Sequence, residues 1–221
     1  MKTTRRTFLY GTPMLLAVSG VAPSAPAAGE APWEEPVPEL EFDQAAFERI
    51  LGRPARHRQC FGITSLAGGG PLALINAALD AYKNALHEPQ GYLHPVAVLY
   101  HGFGVAFAFN DALWNEYVIP TLVSLKQAGT LTPGDGNPYL RSGNDSNPAS
   151  VESLASRGTT FVICHNAFKA GAYQFAALTK RSSVAVYKQM RAGVVAGAIF
   201  APAGVMAINA CQEAKFTYLQ T

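Results

Sequence analysis

The chain has 221 residues, 49% hydrophobic and only 14% charged, with a formal net charge of +2. Such a length and composition suit one globular domain with short additions. The near-neutral charge leaves no electrostatic footprint for nucleic acid, so no nucleic-acid partner is expected.

The N-terminus reads as an export signal. Thr4-Arg5-Arg6-Thr7-Phe8-Leu9 is a twin-arginine pattern, followed by an apolar run from Met14 to Val21 and a small-residue tail from Ala22 to Gly29. The apolar run is too short to span a bilayer, and cleavage is expected near Ala28. Residues 1–28 are therefore assigned to the signal, and the mature chain to the periplasm or the exterior. Loss of Lys2, Arg5 and Arg6 with no acid takes the formal charge from +2 to −1. No later apolar stretch has membrane-spanning length, so no membrane association is expected once the signal is removed.

Residues 29–55 form the next unit: a Pro- and Glu-rich extended linker, then a short helix over Phe42–Leu51 with Asp43 as its cap. The main domain is expected over residues 56–221. Arg58–Leu66 reads as a first strand, in which Cys60 is a small buried hydrophobe. Gly68-Gly69-Gly70-Pro71 turns the chain into a helix whose apolar stripe is Leu72, Ile75, Leu79, Tyr82 and Leu86. No Lys-Ser/Thr pair follows the glycines, so this is a βα turn and not a Walker loop. His94–Tyr100 is a second strand, apolar enough to be buried on both faces. Beyond it, Gly102 and Gly104 match half of a dinucleotide fingerprint, but Phe107 stands where the third glycine belongs.

Asp111 is expected to cap a helix carrying Leu113, Trp114, Val118 and Leu122, bent at Pro120. Residues 126–150 are an irregular insertion, either a lid or a solvated excursion. Ser150 caps a short helix over Val151–Ser156, and Gly158 leads into a third strand, Thr159–Ile163, which ends at Cys164. His165 and Asn166 open a helical region reaching about Arg191, with a break at Ser182-Ser183. Gly193–Ala201 is a fourth strand, Val205 to about Lys215 a helix, and Phe216–Gln220 an edge strand. Apolar strands alternating with helices predict an α/β fold: three layers, α/β/α, around a mainly parallel five-stranded sheet.

A thiol at the carboxyl end of a strand, facing a helix N-terminus, sits where open α/β sheets hold ligands and where thiolate is favoured. That singles out Cys164 from Cys60 and Cys211. An exported chain with three cysteines leaves at least one unpaired within the molecule. The absence of CxxC argues against a thioredoxin-type pair or a zinc ribbon.

The segments Gly158–Ala167 (GTTFVICHNA), Pro202–Ala207 (PAGVMA) and Gln212–Tyr218 (QEAKFTY), with His101-Gly102 and Phe109-Asn110-Asp111, resemble the DsrE/DsrF-like family. The likeness runs from Arg56 to the C-terminus. It implies a flavodoxin-like fold assembled as a homo-oligomer, a trimer or a hexamer. It also implies that Cys164, in an Ile-Cys-x-x-Ala setting, carries sulfane sulfur as a persulfide between a donor and an acceptor. The export signal and the 126–150 insertion depart from the family's sulfur-relay members.

The candidate site is thus Cys164 as nucleophile and sulfur carrier, His101 or His165 as an acid/base or orienting group, and Asp111 as a supporting partner. Two other readings stay open at this point: an inert buried thiol, and an oligomeric protein that binds a small ligand without catalysis. Cys164, His165 and His101 have ligand types suited to zinc or copper, but an adjacent Cys and His do not easily reach one ion. No metal and no cofactor are expected.

Overall fold

Five strands form the sheet at the centre of the molecule. The computed structural model describes residues 34–141 and 147–221; the expected export signal and the middle of the 126–150 insertion lie outside the described residues. The strands are β1 (His57–Ile63), β2 (Leu93–Leu99), β3 (Thr160–Cys164), β4 (Ile199–Ala201) and β5 (Thr217–Gln220). All pair in parallel, in the order β4-β3-β2-β1-β5. The helices are α1 (Gln44–Leu51), α2 (Gly70–Asp80), α3 (Asp111–Leu113), α4 (Ile119–Ser124), α5 (Val151–Ser156), α6 (His165–Thr179), α7 (Ser183–Ala192) and α8 (Gly204–Glu213). This is the expected three-layer α/β/α fold. The strand beside β1 on the edge is the last of the chain, where flavodoxin places its second.

The strand order dictates the layers. From β1 to β4 the chain always steps the same way across the sheet, so right-handed crossovers put their helices on one face. The return from β4 to β5 runs the other way and puts α8 on the opposite face. Two apolar clusters record this division. Phe61, Ile63, Ala97, Leu99, Phe161 and Ile163 pack with residues of α2, α6 and α7. The alternate strand positions, Cys60, Val96, Val98 and Val162, pack with Ala207, Ile208 and Cys211 of α8 and Phe47 of α1. Period-two alternation in the strands therefore assigns each side chain to a layer.

Several elements differ from their expected form. The fourth strand shrinks to Ile199–Ala201 because Val194 is drawn away into an antiparallel bridge with Phe109, and Gly197, at φ +81°, turns the chain before the sheet is reached. The helix after β2 is capped by Asn110, whose side chain accepts from Leu113 N–H at 3.0 Å, and Asp111 becomes its first residue. Between α3 and α4 a wide π-type turn, Trp114–Val118, leads into Pro120, which has no N–H to give the regular ladder. The stripe of α2 stays buried at Leu72, Ile75 and Leu79, but the chain widens after Asp80 and Leu86 is 61% exposed.

The expected linker is not free. Val37 is buried and its N–H donates to Tyr173 Oη at 3.1 Å, while the Glu39 carboxylate pairs with Lys169. Glu35 accepts from Ser182 through its carboxylate and from Ser183 through its carbonyl. The segment straps α6 and α7 before α1 docks on the other face. The 126–150 insertion is irregular in its described part, yet it too is packed. Asn137 is buried and its amide donates to the carbonyls of Phe107 and Phe109, and Leu140 is 4% exposed.

Candidate functional site

The topology makes one crevice. At the carboxyl ends of the adjacent strands β3 and β4, one chain leaves for α6 on the first face and the other for α8 on the second. Ligands in open α/β sheets bind where connections part in this way. A cleft of ≈ 430 Å³ opens there, its walls including Tyr100, His101, Cys164, Asn166, Ala167 and Gly204. Gly204 must lack a side chain: a Cβ on it would lie 2.4 Å from Tyr100 Cβ. The missing methyl lets the first turn of α8 close against the end of β2 and form one wall.

Cys164 follows the alternation of its strand. Val162 belongs to the α8 layer, so Cys164 faces that side too, at the mouth of the crevice, and is 6% exposed. It is also the N-cap of α6, a place usually held by Ser, Thr, Asn or Asp. Its Sγ accepts from the Ala167 N–H at 3.4 Å. A backbone donor and the positive end of a 15-residue helix are surroundings that stabilise negative charge on sulfur. A second helix start faces the same space: α8 begins with Ala203 as N-cap and no side-chain cap, and Ala203, Gly204 and Val205 all line the cleft. Among the described residues, no Asp or Glu lines the cleft.

His101 forms part of the opposite wall, with its side chain exposed. Its backbone sits at φ 60°, ψ 151°, a region that side-chain-bearing residues scarcely populate. The following glycines explain how the turn fits. A Cβ on Gly104 would lie 2.5 Å from the Ile63 carbonyl oxygen, and Gly102 is at φ +45°. The Gly102/Gly104 pair thus lets this turn pass over the end of β1, and a run of short turns over Gly102–Ala108 follows in place of a dinucleotide-binding helix.

His165 and Asp111 lie elsewhere. His165 is one residue past Cys164 and faces the opposite layer, where it is 2% exposed. Its Nε2 lies 2.8 Å from Tyr187 Oη, and its ring meets Tyr187 and Phe200 edge-on. Burial, with Lys169 and Arg191 nearby, lowers its pKa. Asp111 pairs with Arg141 and accepts from Asn137 N–H at 3.1 Å; the Arg141 guanidinium holds its carboxyl below the ordinary range. It ties the insertion to the start of α3. The structure therefore brings Cys164 and His101 to one cleft and leaves His165 and Asp111 outside it.

Because Cys164 and His165 point to opposite layers, they cannot share an ion. The described residues hold no cluster of three or more His, Cys, Asp or Glu suited to a metal. Sequence reasoning passed over Tyr100 and Gly204, which shape the cleft. The signal for Gly204 is Pro202-Ala203-Gly204, a helix start with no capping side chain; Tyr100, the last residue of the expected second strand, carries none. Other depressions exist, such as one of ≈ 440 Å³ beneath Leu140 and Thr159, but none of those described is lined by a cysteine.

No protein-family model matches the chain, and no curated protein matches it. A protein of unknown function, MTH1491 from Methanobacterium thermoautotrophicum, has a solved structure that aligns with a TM-score of 0.40 at 16% identity, over 75% of this chain and 99% of that one.

Proposed function

We propose that the cleft is a sulfur-transfer site, in which Cys164 takes up sulfane sulfur, holds it as a persulfide and passes it to an acceptor. The observation that carries this reading is the placement of the Cys164 thiol: at the cap of α6, bonded to the Ala167 N–H, and at the crevice between β3 and β4. The likeness to the DsrE/DsrF-like family supports it, since Cys164 and Ala167 are the named positions of the Ile-Cys-x-x-Ala setting. In the first step the Cys164 thiolate attacks the outer sulfur of a donor R–S–SH. The donor's S–S bond breaks, R–S⁻ leaves, and Cys164–S–SH forms, so charge and oxidation level balance. The second step repeats the exchange with an acceptor thiolate.

His101, on the facing wall, is the group suited to give a proton to the leaving sulfur or to take one from the persulfide. His165 and Asp111 have structural duties under this reading: one packs α6 against α7, the other anchors the insertion. Export through the twin-arginine route and assembly into homo-oligomers belong to the same proposal and rest on the sequence.

The test compares wild type with Cys164→Ser after incubation with a sulfane-sulfur donor, reading protein-bound persulfide by selective tagging. Wild type should label and the variant should fall to background. Equal labelling of the two overturns the proposal. An unlabelled wild type whose Cys164 also resists a thiol probe would leave the cleft as a non-catalytic small-ligand site, consistent with its 6% exposure.

A further inference from the structure

Two cysteines remain that the cleft does not use. Cys60 lies within β1 and Cys211 in the last turn of α8, roughly 150 residues apart in the chain, and both are 0% exposed. The fold brings them together through a short turn. The Phe216 N–H bonds the Cys211 carbonyl at 2.9 Å, which feeds α8 straight into β5. Tyr218 of β5 then pairs in register with Cys60 on β1. Both cysteines belong to the apolar layer beneath α8, with Val96, Val98 and Ile208. They share this one cluster, where each thiol perturbs the other's acidity.

We propose that Cys60 and Cys211 form a disulfide when the chain folds in the presence of a disulfide-class oxidant, clamping α8 onto β1 and leaving Cys164 as the free thiol. One thiolate attacks the oxidant R–S–S–R and expels R–S⁻. The second thiolate then displaces the other R–S⁻ from the mixed disulfide. Two protein thiols become one disulfide and the oxidant becomes two thiols, so two electrons and two protons are accounted for. Both thiols are sealed from solvent in the finished fold, which places the pairing during folding, before the layer closes. Pairing therefore needs the oxidant to be present where the chain folds.

The pairing accounts for an odd cysteine count. Two thiols are taken by the clamp, and the third is the one at the crevice. It also reaches the cleft, because α8 is held at its last turn by Cys211 while Gly204, in its first turn, forms the cleft wall. A link between residues so distant in the chain restricts the unfolded ensemble strongly, so the gain in stability is large. None of this depends on sulfur transfer at Cys164.

The experiment uses the full chain, wild type and Cys164→Ser, produced in an oxidising secretory compartment and in a reducing cytosol. Each sample is denatured with an alkylating agent present and digested without reduction. In the oxidised samples the Cys60 and Cys211 peptides should run as one linked species that reduction separates, while Cys164 of wild type is alkylated. The Tm of the oxidised protein should exceed that of the reduced protein by about 5–15 °C. Cys211→Ala should show no such difference between the two compartments. Alkylation of all three cysteines in the oxidised wild type, or a link that includes Cys164, overturns the proposal. A Cys60–Cys211 link with unchanged Tm overturns the clamp.

Discussion

His101 and Cys164 both hold their places at a local cost, and their variants should separate stability from function. A histidine at φ 60°, ψ 151° is strained by about 1–3 kcal/mol relative to glycine. His101→Gly should therefore fold at least as stably as wild type, gaining about 1 kcal/mol after the entropy of the added glycine is set against the relief. Sulfur release to an acceptor should nevertheless slow by about 10²-fold if the imidazole moves the proton. Urea midpoints and single-turnover transfer from preloaded protein measure the two effects; an unchanged or lower urea midpoint would refute the strain account. Cys164→Ser tests the other side. Serine is a better N-cap than cysteine, so the variant should lose less than about 1 kcal/mol while losing persulfide formation altogether. The position of Cys164, at the end of a strand and the start of a helix, is legible in sequence from strand length and the apolar run alone. That His101 would share its cleft and His165 would not is legible only once the parity of β3 is known.

At the scale of elements, the insertion and the helix after β2 act as one unit. Asn137 donates to the Phe107 carbonyl at 3.3 Å and the Phe109 carbonyl at 2.6 Å, and Asn115 Oδ1 accepts from the N–H groups of Gly134 and Gly136. Asn137→Ala would leave buried carbonyls without donors and should cost about 2–3 kcal/mol, lowering Tm by several degrees. A loss within 0.5 kcal/mol, a size typical of exposed loops, would show that the insertion is not integral. The sequence of residues 126–150 conceals this, because its polar and glycine-rich composition is the same for a packed excursion as for a solvated one. The cap at Asn110 is hidden for a related reason: Asn110 and Asp111 are adjacent and both are good caps. The distant bridge between Phe109 and Val194 fixes the chain direction at that point, and it also shortens β4. Such long-range contacts leave no local pattern to read.

For the whole molecule, the parallel sheet and its layers follow from apolar strands alternating with helices, but the strand order does not. The return of β5 to the free side of β1 is what sends α8 to the second face, and without it no crevice would part β3 from β4. The same return buries the amino end of β2, where His94 is 0% exposed, its Nδ1 has no partner among the described residues and its Nε2 lies 3.4 Å from Thr160 Oγ1. Burial, reinforced by the charges of Arg53 and Arg58, pushes its pKa down to about 4. In the unfolded chain the same imidazole titrates near 6.5. As pH falls below 6.5 the unfolded state binds a proton that the native state refuses, so stability declines until about pH 4, where the native histidine also protonates. The loss attributable to His94 across that window is of the order of 2–3 kcal/mol. His165, also lowered by burial, adds to it in the same direction. His94→Leu keeps the apolar contact with Phe216 and removes the titration. Urea midpoints taken between pH 7 and pH 4 should therefore fall less steeply for His94→Leu than for wild type. Parallel declines would show that this buried end of the sheet does not set the acid limit of the fold.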